Sequence, residues 1–211
     1  MKSESSRWTK KRLAVELSHL DGFSEVSVEL EQYATPSEIA AEWVWNAVFL
    51  GDIAGKVILD AACGPGVLGC GALLMGAKQV YFVDKSPEAL ELARKNVNTL
   101  AEAYEIGKSE FLCMDITQFT VPVEVVIQNP PFGTQVRHHD KLFLEKAFTV
   151  GKTVYSMHKA TTVVFVEAIV KDYGFMLTNR WDYDFRIGMS LPWHTQEVYI
   201  VKVTLWRMVK R

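Results

Sequence analysis

The chain has 211 residues, 49% apolar and 23% charged, with a formal net charge of −2. That length suits one domain with a full core, the composition is that of an ordinary globular protein, and the overall charge does not mark a polyanion binder. No run of 18 uncharged apolar residues occurs, and the start (Met1-Lys2-Ser3-Glu4) lacks an apolar signal core, so a soluble, cytoplasmic protein without a membrane span is expected.

Three cysteines, Cys63, Cys70 and Cys113, form no paired spacing; an odd count argues against a disulfide framework, and they read as small packing residues. Charge is unevenly spread. Residues 1–12 carry five basic groups and one acid, whereas residues 13–60 carry nine acids and Lys56 alone. Residues 129–159 hold five basic groups, two acids and three histidines, and the last ten residues add four basic groups and no acid. Basic charge thus gathers at both ends and around residue 129, as a polyanion-binding face requires.

Taken in order, residues 7–20 place Trp8, Leu13, Val15, Leu17 and Leu20 on a short helix with a basic start. Thr35, Pro36 and Glu38 read as a capping box with proline at the first helical position, opening a helix with Ile39, Ala40, Trp43, Val44, Ala47 and Val48 at helical spacing. Lys56–Asp60 is a short buried strand, followed by a glycine-rich turn and an apolar helix to Met75 that Gly76 caps. Gln79–Asp84 is a second strand, and Ser86-Pro87 caps a helix to about Ala103. Phe111–Met114 and Val123–Gln128 are the third and fourth strands, with Asp115 after the third. Lys141–Val150 is helical by spacing, and Thr153–Met157 is a fifth strand. Thr161–Tyr173 is locally ambiguous, and the need for a crossover after a parallel strand makes it a helix. Phe175–Ile187 and Glu197–Val209 form two long antiparallel strands. No repeat or linker interrupts residues 1–211: one domain, with 1–50 as a helical extension and cofactor lid and 51–211 as the catalytic core.

The chemistry concentrates at Asn129-Pro130-Pro131-Phe132. Val123–Ile127 is three valines, an isoleucine and a glutamate, a buried strand by composition. Two prolines then end it in a stiff, extended turn, at the carboxyl end of a strand where open α/β sheets bind ligands. Asn129 offers an amide oxygen and Pro130 a carbonyl oxygen. Two such acceptors suit a planar –NH2 group, and Phe132 can stack on the ring that bears it.

Gly64-Pro65-Gly66-Val67-Leu68-Gly69 satisfies G-x-G-x-x-G, and Asp84 lies 20 residues after Gly64, which makes a dinucleotide enzyme the first competitor. Two features oppose it. The first glycine follows the strand-end acid Asp60 by four residues, whereas the dinucleotide turn brings glycine almost directly after the strand. Asp60 also sets a carboxylate where pyrophosphate would sit, a placement that suits an ammonium- or sulfonium-bearing ligand. S-Adenosylmethionine has a ribose, an adenine and an amino-acid tail but no phosphate.

The ordered set Asp60-x-x-Cys63-Gly64-x-Gly66, Asp84, Asp115 and Asn129-Pro130-Pro131-Phe132 resembles the class I S-adenosylmethionine-dependent methyltransferases, most closely the amino-methyltransferases with an Asn-Pro-Pro-Phe signature. Gln32-Tyr33-x-Thr35 and Tyr155-Ser156-Met157-His158-Lys159 are similar to the archaeal and eukaryotic methyltransferase-like proteins that form N6-methyladenine in small-subunit ribosomal RNA. The likeness spans about residues 28–206, and one departure is Ala61-Ala62, where the family more often has Leu-Gly. It implies a Rossmann-like α/β fold: a mostly parallel seven-stranded sheet with an antiparallel C-terminal strand and helices on both faces. It implies that Asp60, Gly64 and Gly66 hold the methionine moiety, Asp84 the ribose hydroxyls and Asp115 the adenine amino group, with Cys63, Ile116 and Asn129 also binding the cofactor, while Gln32, Tyr33 and Thr35 close the pocket. Phe132, Arg137, His158 and Lys159 would meet an RNA substrate. It further implies that a small zinc-binding activator protein pairs with the edge strand 111–114.

His138 and His139 suggest a metal pair, but adjacent side chains diverge and no third ligand is evident, so they read as a polar loop and no metal is expected. The tryptophans are core residues by expectation, with Trp181 and Trp193 as RNA-stacking candidates. A guanine-N2 RNA methyltransferase, a protein glutamine methyltransferase and an inactive cofactor-binding RNA scaffold remain open from sequence.

Overall fold

The computed structural model describes residues 8–23, 35–131, 139–188 and 198–211. Six helices and seven strands are described: α1 (Lys10–Ser18), α2 (Ser37–Phe49), β1 (Val57–Ala61), α3 (Val67–Leu74), β2 (Gln79–Asp84), α4 (Pro87–Ala103), β3 (Lys108–Cys113), β4 (Val125–Gln128), α5 (His139–Val150), β5 (Thr153–Lys159), α6 (Val163–Asp172), β6 (Phe175–Gly188) and β7 (Val198–Lys210). The sheet order is β3-β2-β1-β4-β5-β7-β6. Strands β1 to β5 pair in parallel, while β7 runs antiparallel between β5 and β6. The expected Rossmann-like sheet is the one this chain forms.

Alternation along the strands builds a core on each face. Ile58, Val125, Ile127, Tyr155 and Met157 join the cluster that includes buried residues of α1 to α4. Leu59, Val126 and Val154 point the other way, against Leu144, Ala147 and Phe148 of α5 and Val166, Ile169 and Val170 of α6. The α6 segment is valine-rich yet helical because Val166, Ile169 and Val170 recur at helical spacing and bury one face, leaving Val164 exposed. At the far side of the sheet the loop after α2 is tied down by a nearly buried ion pair. Arg207 Nε and Nη2 donate to Asp52 Oδ2 and Oδ1 at 2.7 and 3.2 Å, and Tyr155 Oη donates to Oδ2 at 2.6 Å. Losing one partner of such a pair leaves a desolvated charge at a cost of about 3–5 kcal/mol.

Several boundaries differ from expectation. Helix α1 starts at Lys10, because the Thr9 hydroxyl accepts from Arg12 N at 3.1 Å and caps it. Pro36, extended at φ −55° and ψ 141°, is the residue that precedes α2, and no side chain caps that helix. Thr35 is therefore not a capping residue; its hydroxyl is engaged elsewhere. Strand β3 begins three residues earlier than Phe111, and β4 starts at Val125. Cys63 and Cys70 are buried, but Cys113 lies exposed on the edge strand and is not a packing residue. Trp181 is partly buried against the core, stacked 6.4 Å from Tyr155, and Trp193 lies outside the described residues. No described helix is long and apolar enough to cross a membrane.

Candidate functional site

A pocket opens at the carboxyl ends of β1, β2 and β4, where parallel strands leave a crevice on either side of the point at which sheet order reverses. Thr35, Asp60, Cys63, Gly64, Asp84, Asp115, Ile116, Asn129 and Pro131 line it, so nine of the residues singled out in sequence converge there from across the chain. Gln32, Tyr33, Phe132 and Arg137 lie outside the described residues, as do His138 and the segments they occupy.

The glycine-rich turn has an explicit steric reason. Gly66 has φ +79°, and a Cβ on it would stand 3.0 Å from Ala93 Cβ and 3.1 Å from Phe82 Cε1. Gly69 sits in the first turn of α3 with Phe82 against it; an added Cβ would lie 2.7 Å from Phe82 Cζ and 2.9 Å from Asp60 Oδ2. The third glycine of the pattern therefore permits the close helix–strand approach. It also lets Gly69 N donate to Asp60 Oδ2 at 2.8 Å. Its role is legible in the G-x-G-x-x-G spacing, although the family resemblance alone does not mark it as a site residue.

The acids differ in environment. Asp60 is 1% exposed, and burial pushes its carboxyl well above the usual carboxylate range despite the Gly69 hydrogen bond. Asp84 Oδ2 accepts from Gly64 N at 2.9 Å and Oδ1 from Ser86 N at 3.0 Å. A carboxylate has about four lone-pair sites, so Asp84 is both the clamp on the glycine turn and an acceptor with capacity left for a diol. Asp115 is exposed, and its Oδ1 takes Thr117 N at 2.9 Å and Thr117 Oγ1 at 2.6 Å. Burial and the nearby Asp60 and Asp84 raise the Cys63 thiol, which makes it a wall rather than a nucleophile.

Asn129 is the most informative side chain. Its Nδ2 donates to Thr35 Oγ1 at 3.1 Å, which fixes the orientation of the amide. Its Oδ1 is buried and has no hydrogen-bond partner, an arrangement that costs about 1–3 kcal/mol unless a ligand supplies a donor. Pro130, next in the chain, is buried. One acceptor thus waits at the strand end beside a cradle with acids placed for a cationic, diol-bearing ligand. These donors and acceptors fit S-adenosylmethionine, a ligand with a positive charge, a ribose diol and an adenine.

His158 departs from expectation. It is 2% exposed on β5, where alternation turns its side chain into the protein interior, and it is not among the pocket residues. Ser156 Oγ lies 2.7 Å from His158 Nε2 and accepts from Gln128 Nε2 at 2.9 Å, so the hydroxyl proton points to an unprotonated Nε2. Burial lowers the imidazole to about 3. It is a neutral structural group, not an RNA contact. Lys159 is half-buried at the end of β5 and does not line the pocket. His139 begins α5 rather than lying in a loop, and no metal-binding group of three His, Cys, Asp or Glu stands together among the described residues. Phe23, Lys85, Leu142 and Phe143 also line the pocket. Lys85 follows the strand-end acid directly, whereas Phe23 sits in a short irregular segment that no periodicity marks.

The methyltransferase small domain model matches residues 47–166. A 213-residue alignment with an uncharacterised protein of Methanocaldococcus jannaschii is 33% identical and covers 95% of this chain and 94% of that protein. An rRNA N(6)-adenosine-methyltransferase of Drosophila melanogaster is 28% identical over 208 residues, 96% of this chain and 97% of the relative. Among solved structures, a candidate RNA methyltransferase from Pyrococcus horikoshii superposes with a TM-score of 0.86 at 39% identity, covering 95% of this chain and 98% of that one.

Proposed function

The chain belongs to the methyltransferase small domain family and is an S-adenosylmethionine-dependent methyltransferase, and on that premise we propose that its acceptor is N6 of an adenine in small-subunit ribosomal RNA. The observation that carries the reading is Asn129, a pocket-lining side chain whose Oδ1 is buried and unpartnered while its Nδ2 donates to Thr35. An acceptor in that position calls for an N–H donor, and an exocyclic amine brings two hydrogens, one for Asn129 Oδ1 and one for the Pro130 carbonyl. The whole-length likeness to rRNA N(6)-adenosine-methyltransferases favours adenine as the bearer.

S-Adenosylmethionine, when bound, supplies an electrophilic methyl group. Asn129 and Pro130 would accept the two amine hydrogens and draw the nitrogen toward a tetrahedral geometry, so that its lone pair leaves conjugation with the ring and is aimed at the methyl carbon. The N–C bond forms as the C–S bond breaks, and the proton released from the alkylated nitrogen passes to solvent without a dedicated base. Catalysis here is positioning and electrostatics. Phe132 stacks on the extruded base, a contact typically worth ~1–3 kcal/mol, and unpaired RNA bases are the easier ones to extract. Arg137 and Lys159, within the basic segment around the turn, serve the phosphate backbone.

Residues 1–50 act in this reading as a helical extension that closes the cofactor pocket through Gln32, Tyr33 and Thr35. Support comes from Leu13 and Leu17 of α1, buried in the same core as α3, and from Thr35 in the pocket wall. Strand β3 lies at the sheet edge with Lys108, Ser109 and Glu110 exposed, an available edge for strand addition by a small zinc-binding activator protein. A cytoplasmic site of action accords with such a substrate.

Incubation with labelled cofactor and small-subunit ribosomal RNA, followed by nucleoside mass spectrometry, tests the acceptor. N6-methyladenosine is expected. N2-methylguanosine, labelled protein glutamine, or no transfer even with a partner present overturns the reading. Asn129→Ala abolishes transfer while leaving cofactor affinity within a few-fold; joint loss of both counts against the role given to Asn129.

A further inference from the structure

We propose that Phe23 is a wall of the cofactor pocket and that Asn96, on the far side of the glycine-rich turn, is the positioning residue that holds it there. Asn96 lies in α4 on the face that otherwise buries Ala89, Leu90, Ala93, Val97 and Leu100. An asparagine on such a face is a poor helix former and a desolvated amide. It is 2% exposed, and each of its polar atoms has a partner. Oδ1 accepts from Asp21 N at 2.9 Å; Nδ2 donates to Asp21 O at 2.9 Å and to Pro65 O at 2.9 Å.

These three bonds have a specific shape. The amide pairs with both the N–H and the C=O of Asp21, as a neighbouring strand would, and its remaining hydrogen reaches the carbonyl between Gly64 and Gly66 of the cofactor turn. One buried side chain therefore joins the N-terminal segment 21–23 to the turn that cradles the cofactor, from residues 31 and 75 positions away in sequence. Two residues on from Asp21, Phe23 lines the pocket, and its ring edge lies where a Cβ on Gly64 would meet it at 3.5 Å. The Lys95–Asp21 ion pair at 2.7 Å supports the same segment from outside, but both partners are exposed and such pairs contribute little. Nothing else in the described segment between α1 and Phe23 offers a buried polar anchor, so the place of the Phe23 ring follows from Asn96.

The inference rests on the cofactor and not on the identity of the acceptor. Its test is S-adenosylhomocysteine binding by calorimetry for the full-length wild type, Phe23→Ala, Asn96→Ala and the double variant, with thermal unfolding of each measured alongside. Each single variant weakens binding about tenfold, and the double variant is no weaker than the worse single one. Multiplying effects in the double variant, or a folded Asn96→Ala whose affinity lies within twofold of wild type, overturns the positioning role. Should Asn96→Ala not fold, Asn96→Ser with thermal unfolding measured alongside takes its place, and Phe23→Ala alone decides the wall: binding within twofold of wild type overturns that part. Failure of the acceptor assignment changes none of these outcomes.

Discussion

Thr35 Oγ1 accepts a hydrogen bond from Asn129 Nδ2 at 3.1 Å, joining the entrance of α2 to the end of β4 across 94 residues. A carboxamide is nearly symmetric in shape, so its orientation depends on its partners. With Nδ2 committed to Thr35, the oxygen is left buried and without a partner. Thr35→Val keeps the volume and removes the acceptor; the amide then turns freely, and kcat falls about tenfold, the loss of one hydrogen bond of about 1–1.5 kcal/mol. Thr35→Ser restores it. Cofactor affinity measured on the same variants separates the two roles open to Thr35: a change in Kd with kcat intact would make it a cofactor contact alone.

Asp60 predicts a pH dependence of cofactor binding. Burial raises its carboxyl above the usual value of 3.8. A cationic methionine moiety favours the ionised form, so the bound state has the lower pKa and binding releases a proton. Affinity for S-adenosylmethionine therefore rises as pH rises toward the raised pKa of the free protein and levels off above it. Asp60→Asn flattens that slope and weakens binding about tenfold or more. Calorimetric titrations in buffers of different ionisation enthalpy count the proton directly, and an unchanged slope in Asp60→Asn would assign it to another group.

Much of this site could be read before any coordinates, and the reasons are physical. Strand-end acids such as Asp60, Asp84 and Asp115 follow apolar runs whose period fixes where each strand stops, and Asn129 stands before two prolines that admit one local geometry. Phe23 and Asn96 were illegible because their meaning lies in a contact between an irregular segment and a helix 75 residues away. Thr35 was misread for a related cause: its local signature is that of a cap, and a long-range hydrogen bond to Asn129 overrides it. The family resemblance implies that His158 meets RNA, yet alternation on a strand covered on both faces buries it.

Ala62 carries the one positive φ among described non-glycine residues, +54°, in the turn that leaves β1 for the pocket. The related methyltransferases resembled in sequence more often place glycine there, and the dihedral explains why: a left-handed alanine is strained by about 1–2 kcal/mol. Glycine removes that strain but loses about 0.5–1 kcal/mol through the greater freedom of its unfolded chain. Ala62→Gly should raise the midpoint of thermal unfolding by about 2–4 °C and leave cofactor affinity within about threefold. Ala62→Val, with a branched Cβ in the same region, should lower it by more than that.

The His158–Ser156–Gln128 chain predicts the acid limb of stability. The folded-state imidazole titrates near 3 against 6.5 when exposed. Between those values the unfolded chain binds a proton that the folded one refuses. The folded state is thus penalised as pH falls from about 6.5 toward 3, with the full contribution present above 6.5. Burial is the reason, and the bond geometry agrees with it: Ser156 Oγ accepts from Gln128 Nε2 and lies 2.7 Å from His158 Nε2, so its proton is free to go to an unprotonated ring nitrogen. Urea unfolding at stepped pH should show the wild type losing stability steadily across that window. His158→Gln, which retains an acceptor and cannot titrate, should remove most of the slope while lowering stability at pH 8 by about 1–2 kcal/mol for the imperfect fit. An equal slope in both proteins would place the titration elsewhere.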